Sequence, residues 1–430
     1  MNIRRWMMSN GLWVVVKEMP HTPLVGASLH IKGGSRVDSP NASGLAHFLE
    51  HVFFKGTEKY PTHEALDDLI EADGGRWNAA TSHERILCFT SVFCESLEKA
   101  FDAISQMAFC PLFRQEDIDV ERGPVIEEIN QKLDAPDECA DELYQKIAWG
   151  GHPLSRSILG LKESIGTITR GDFLEYHKNY FYPGNMVLSI AGGISAEKVF
   201  ALCSKYFYEG KFMPRTELSS TILNSEERFM VEDRNTSQTN AIVGTKAINW
   251  ISHKKETLKN TLAASLLFNV LGGSTRLFKK VRADRGLVYT IYSHTDICFD
   301  GGTAYTYFAA EPEKAKMALK ITLDEYDNVL KNGITEDELK RAKLAGRRCY
   351  AEVGESSLNT ALALGSFELN KDEFGEFIEP LDFFDSCVEP ITVDDLMSVA
   401  PALLGRTNLC LALVGKVDCC AEEFEQILLS

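Results

Sequence analysis

The segment HFLEHVFFKGTEKY, residues 47–60, opens with two histidines and a glutamate set among apolar side chains. His47 and His51 are four apart and Glu50 is three from His47, so on a helix all three border one face. Two imidazoles at this spacing can aim ring nitrogens at one cation. A catalytic zinc ion takes three protein ligands and keeps one position for a water, whose pKa falls to about 7 on binding. A carboxylate beside that water, the role open to Glu50, can take its proton and pass it on to a leaving group. Gathering three polar groups on an apolar helix face is costly unless they share a partner. The third ligand has to come from another element. ERGPVIEEIN, residues 121–130, offers Glu121 and Glu128, which are seven apart and share a face if their helix is continuous.

The elements that must hold these residues are set by length and pattern. With 430 residues and 44% hydrophobic content, the chain exceeds the roughly 250–300 residues that one core supports, so at least two domains are expected. The net charge of -17 argues against a nucleic-acid partner and leaves room for basic or peptide-like ligands. No G-x-x-x-x-G-K-[ST] stretch offers a phosphate cradle. The eleven cysteines are scattered, with only Cys419 and Cys420 adjacent, and read as free thiols of a reducing compartment. Trp13–Val16 reads as the first strand rather than a leader segment, and no apolar run approaches the roughly 18 residues of a membrane span. A cytoplasmic protein with no membrane partner is therefore expected.

A repeat offset by about 220 residues runs through the chain. A strand leading into an amphipathic helix occurs in ILCFTSVFCESLEKAFDAISQMAF and again in GTAYTYFAAEPEKAKMALKITLDEYDNVL. Acidic helix starts follow at Arg114 and Thr335. Further helices open after Ile168-Thr169 and Ile391-Thr392, and each leads to a buried-looking strand, MVLSIAGG or LCLALVGK. The expected fold class is α+β: two homologous αβ halves, each a largely antiparallel sheet covered by helices. Residues 1–212 form the metal-binding half, 213–226 a polar linker, and 227–430 a degenerate repeat in which SLLFNVLGG stands where the metal helix would be.

HFLEHVFFKGTEKY resembles the signature of the inverted zincins, the family of pitrilysin, insulin-degrading enzyme and the mitochondrial processing peptidase, whose motif is the His-Glu-x-x-His of zinc peptidases read backwards. The resemblance implies a zinc endopeptidase with one Zn2+ per chain held by His47, His51 and Glu128, the last lying 77 residues after His51. Glu50 would be the base and Glu121 a supporting carboxylate, with Glu127 the rival to Glu128. Mn or Co would fit the same ligands. Gly123-Pro124 departs from the family's apolar run and places Glu121 before the helix proper. LGGSTRLFKKVRADRGLVYTIYS, residues 271–293, is similar to the family segment whose Arg and Tyr hold the scissile carbonyl, here Arg282 and Tyr289, with Arg285 the alternative arginine. GGRWNAATSHERILCF is similar to its edge strand, so Asn78, Ala79 and Ala80 would pair with a peptide by β-augmentation. The chain is half the size of the long members, which implies a homodimer closing around a chamber for extended peptides, with Arg282 and Tyr289 supplied across the interface. The alternatives are one subunit of a heterodimeric processing peptidase and a non-catalytic scaffold subunit.

Overall fold

The computed structural model describes residues 3–208, 210–218, 225–274, 276–371, 379–417 and 421–430. Residues 219–224 of the expected linker and the Cys419, Cys420 pair lie outside them. The first half holds β1 (Ile3–Met7), β2 (Trp13–Glu18), β3 (Leu24–Lys32), α1 (Leu45–Phe53), α2 (His63–Glu71), β4 (Arg76–Thr81), β5 (Arg85–Phe93), α3 (Leu97–Phe109), α4 (Gln115–Asp134), α5 (Pro136–Trp149), α6 (Lys162–Thr167), α7 (Arg170–Tyr180), β6 (Met186–Gly192) and α8 (Ala196–Tyr206). The second holds β7 (Phe229–Asp233), β8 (Thr239–Thr245), α9 (Leu258–Gly272), β9 (Val288–Ile297), β10 (Gly302–Ala310), α10 (Pro312–Asn332), α11 (Glu336–Val353), α12 (Ser357–Leu369), α13 (Val393–Leu404), β11 (Leu409–Gly415) and α14 (Ala421–Leu429).

The strand orders are β1-β2-β6-β3-β5-β4 and β7-β11-β8-β10-β9. Without β1 the two orders are the same, and each has one parallel pair, β2 with β6 and β7 with β11, in an otherwise antiparallel sheet. The fold is α+β with duplicated topology, as the repeat requires. Trp13–Val16 lies in the second strand, not the first: Ile3–Met7 precedes it and pairs with it antiparallel, Trp6 opposite Val14, across a turn at Asn10-Gly11 where Gly11 has φ 96. No helix among the described residues is long and apolar enough to cross a membrane.

Each half covers one face of its sheet with its own helices and the other face with a helix from the opposite half. In the first half, α5 packs on β11 and β8, where the Tyr144 hydroxyl donates to the Thr245 carbonyl at 2.8 Å. In return, α12 lies across β3 and β6. That approach is close enough to need two glycines: a Cβ on Gly26 would lie 2.4 Å from the Leu358 Cα, and one on Gly365 2.2 Å from His30 Nε2.

An ionic cluster ties the halves together at the tip of the β9–β10 hairpin. The Arg36 guanidinium, only 3% exposed, pairs with Asp300 and donates to Glu84 Oε1 at 2.5 Å, and Glu84 accepts the Phe299 N–H at 2.9 Å. His152 Nε2 lies 3.5 Å from Asp300 Oδ2. Burial opposes the charged form of Asp300, but hydrogen bonds from His152 and Arg36 outweigh it and hold the carboxyl well below the usual carboxylate range. A carboxyl depressed in this way stabilises the fold fully above its unfolded pKa of about 3.9, and that contribution is lost as pH falls below it. Asp300→Asn is therefore expected to cost about 3 kcal/mol near neutral pH, by leaving Arg36 buried with one carboxylate fewer. In urea unfolding, the gap from wild type should narrow as the pH drops below about 4; equal stabilities at pH 7 would contradict the clamp.

Candidate metal centre

Helix α1 is fixed at its start by a carboxylate from outside it. Asp38 accepts the Gly44 N–H at 3.0 Å and the Ala46 N–H at 3.2 Å, satisfying donors that the first turn cannot pair, while Gly44 takes φ 91. Ala46, Phe48, Leu49, Val52 and Phe53 are buried, and Phe48 and Phe53 pack edge-on against Phe173 and Phe181. This apolar face sets the helix's rotation, so the flank carrying His47, Glu50 and His51 is turned toward α4.

Helix α4 is continuous from Gln115 to Asp134, so Glu121 lies inside it, 7% exposed, and not before it as Pro124 had suggested. The proline is tolerated because it sits on the exposed side, where a lost backbone hydrogen bond is replaced by water. Ile118, Val125 and Ile129 bury the opposite face. Glu128 therefore reaches the histidine pair, whereas Glu127 is exposed and accepts a hydrogen bond from Asn130 at 3.1 Å.

Ligand atoms of His47, His51 and Glu128 lie within 4.8 Å of one another. One oxygen of Glu128 is 3.4 Å from Nε2 of His47 and 3.4 Å from Nε2 of His51. Those spacings are long for hydrogen bonds but match the edge of a tetrahedron with metal–ligand bonds of about 2.0–2.1 Å, roughly 3.3–3.4 Å. Burial pushes His47 down to about 4, so its ring is neutral near pH 7, and its Nδ1 is buried with no hydrogen-bond partner. Burial also works against a charged His51, but the carboxylates of Glu128, Glu50 and Glu121 outweigh it and raise its pKa. The polar contact with His51 is the largest of the effects that lower Glu128. Two imidazoles and a carboxylate are a donor set that fits zinc.

Around these three sit groups that orient them. Glu121 Oε2 is 3.4 Å from His51 Nδ1 and its other oxygen is 2.5 Å from Lys55 Nζ. Such a carboxylate fixes the ring's tautomer and plane. Burial raises the Glu50 pKa, partly countered by the Thr81 hydroxyl, which donates to Glu50 Oε2 at 2.6 Å. Thr81 and Asp38 were not singled out in the sequence; the signal for Thr81 was its alternation with buried Ala79, which puts both on the face of β4 toward α1.

β4 is the edge of its sheet, and among the described residues no strand pairs its outer side. Asn78 and Ala80 are exposed, Ala79 is buried, and the Ala79 N–H is taken by the Asn78 side chain at 2.9 Å. Arg282 and Tyr289 are close to each other, the guanidinium 5.9 Å from the ring centre, and Tyr289 is 73% exposed. Among the described residues, neither makes a hydrogen bond or ion pair with the metal group of its own chain. Arg285 donates to the Lys280 carbonyl at 2.7 Å, a local bond.

Residues 13–162 match the insulinase family (peptidase family M16), and residues 167–345 match the family's second domain, described as the peptidase M16 inactive domain. An uncharacterized zinc protease of Mycobacterium tuberculosis strain H37Rv is 30% identical over 94% of this chain and 91% of its own length. The chain belongs to the M16 family of peptidases. An uncharacterized zinc protease of Bacillus subtilis is 30% identical over 79% of this chain and 82% of its own. Among solved structures, a protease from Helicobacter pylori superposes with a TM-score of 0.86 at 22% identity, covering 96% of this chain and 99% of that one. The periplasmic protease PqqL from Escherichia coli superposes at 0.79 and 17% identity, with all of this chain covering 50% of it. At these identities the structural likeness concerns the fold.

The geometry separates the two neighbouring glutamates and the supporting one. Glu121→Ala should weaken zinc binding about 10–100-fold by freeing the His51 ring, while Glu127→Ala leaves it unchanged. Competition titration against a zinc chelator checks both, and equal weakening by the two substitutions would contradict the assignment.

Proposed function

We propose that this chain is a zinc-dependent endopeptidase acting on extended or unfolded peptides. The observation that carries the reading is the convergence of His47, His51 and Glu128 beside a buried Glu50, next to the open edge of β4. Zinc held by those three residues, one ion per chain, would supply Lewis acidity and lower the pKa of the attacking water. Glu50 would take a proton from the attacking water and deliver it to the leaving amine, a task suited to a carboxyl whose proton affinity burial has raised. The peptide pairs with β4 as an added strand. Its carbonyl takes over the Ala79 N–H now held by Asn78, and the small side chains of Ala79 and Ala80 allow close approach.

Arg282 and Tyr289 donate to the oxyanion as charge develops there. Their exposure and their mutual contact fit a pair that serves a second copy of the chain, so the working form is a homodimer that closes around the peptide. Enclosure selects unfolded peptides over folded proteins. A heterodimeric partner providing the same pair is the alternative assembly.

One experiment tests chemistry and assembly together. Glu50→Gln should retain zinc and lose at least about 100-fold in peptide cleavage. Tyr289→Phe should be impaired on its own. Mixing the two variants should restore cleavage, because one site in each mixed dimer then has an intact Glu50 and a partner's intact tyrosine. Full activity of Glu50→Gln would overturn the peptidase reading; no recovery on mixing would overturn the homodimer.

A further inference from the structure

We infer that Thr81 is a positioning residue for the catalytic base, its hydroxyl holding the Glu50 carboxylate at the one place from which it can reach both the attacking water and the leaving amine. The inference deepens the peptidase reading above and rests on it. A glutamate side chain has three rotatable bonds, and Glu50 leaves α1 beside His51 with Glu128 nearby, so its carboxylate needs a fixed partner to hold one rotamer. The selection comes from across the gap. Thr81 ends β4 on the face that contacts α1, and its Oγ1 donates to Glu50 Oε2 at 2.6 Å, a short charge-assisted bond. Threonine suits the task because branching at Cβ stiffens χ1, so the hydroxyl direction follows the backbone.

That backbone is itself immobilised on three sides. Thr81 is opposite Ile86 on β5, and the next residue closes the turn, the Ser82 N–H donating to the Arg85 carbonyl at 2.9 Å. The turn carbonyls of Ser82, His83 and Glu84 accept N–H groups from Ser35, Arg36 and Gly33 at 3.1, 2.8 and 2.9 Å. The Glu84 side chain is in turn gripped by Arg36 and by the Phe299 N–H of the second half. The position of Glu50 is thus referred, through the Thr81 hydroxyl and with a smaller contribution from the Thr81 backbone N–H, to a strand end fixed by both halves of the chain. A peptide added to the outer edge of β4 would pair with the same strand that carries this hydroxyl, so substrate register and base position share one reference.

The test compares Thr81→Val, which keeps the shape and removes the donor, with Thr81→Ser, which keeps the donor, both on the full zinc-loaded chain. Thr81→Val is expected to lower kcat for a peptide about 10–100-fold, with KM and zinc content unchanged. Thr81→Ser should recover most of kcat. A crystal structure of Thr81→Val should show the Glu50 carboxylate moved from its wild-type position with α1 unmoved. The inference is overturned if Val and Ser behave alike, if the loss lies in KM or in zinc content, or if Glu50 stays in place in the valine variant. A wild-type chain that cleaves no peptide would instead defeat the peptidase reading, a distinguishable result.

Discussion

One Glu128 oxygen stands 3.4 Å from both histidine Nε2 atoms, and it can do so only because α4 crosses α1 with Val125 and Ile129 turned to the core. The contact is uncomfortable without a cation. It gathers two imidazoles, three carboxylates and a lysine in a half-buried space, where burial raises Glu50 and lowers His47. A divalent ion at the shared point would neutralise the cluster and convert that cost into binding energy. The rest of the fold can be understood as whatever keeps the two helices at that crossing.

Two features do most of this. Asp38 caps α1 from outside, so the helix start cannot fray and the spacing of His47 to the core is set. The exchange of covering helices between halves, α5 onto the second sheet and α12 onto the first, makes each sheet's packing depend on the other half. The Arg36, Glu84 and Asp300 cluster then links the turn beside the site to the tip of the β9–β10 hairpin. The second half, with SLLFNVLGG in α9 and no His or carboxylate in that stretch, is in this way still structurally needed by the half that carries the candidate metal group.

Much of this was legible in the sequence because it is local. His47, Glu50 and His51 announce themselves by spacing on one helix, and the repeat is visible because strands and helix starts recur in pairs, such as the Thr169 start with Asp172 and the Thr392 start with Asp395. What escaped is non-local or depends on which side faces water. Thr81 lies 31 residues from Glu50, and only the sheet's edge position brings its hydroxyl there. Pro124 argued for a broken helix because the sequence does not say that this position faces solvent, where the missing N–H costs little. Ile3–Met7 is not legible as a strand because its five residues, IRRWM, show no apolar–polar alternation. The exchanged helices left almost no trace: α12 reads as nearly uniform in polarity because it packs between its own half and the opposite sheet.

The most direct test of the account is anomalous diffraction above and below the zinc edge from crystals of the full chain grown with zinc. The account predicts one strong peak per chain, about 2.0–2.2 Å from Nε2 of His47, Nε2 of His51 and a Glu128 oxygen, with Glu127 pointing to solvent. Absence of a peak at that point, or a peak ligated without Glu128, would contradict it.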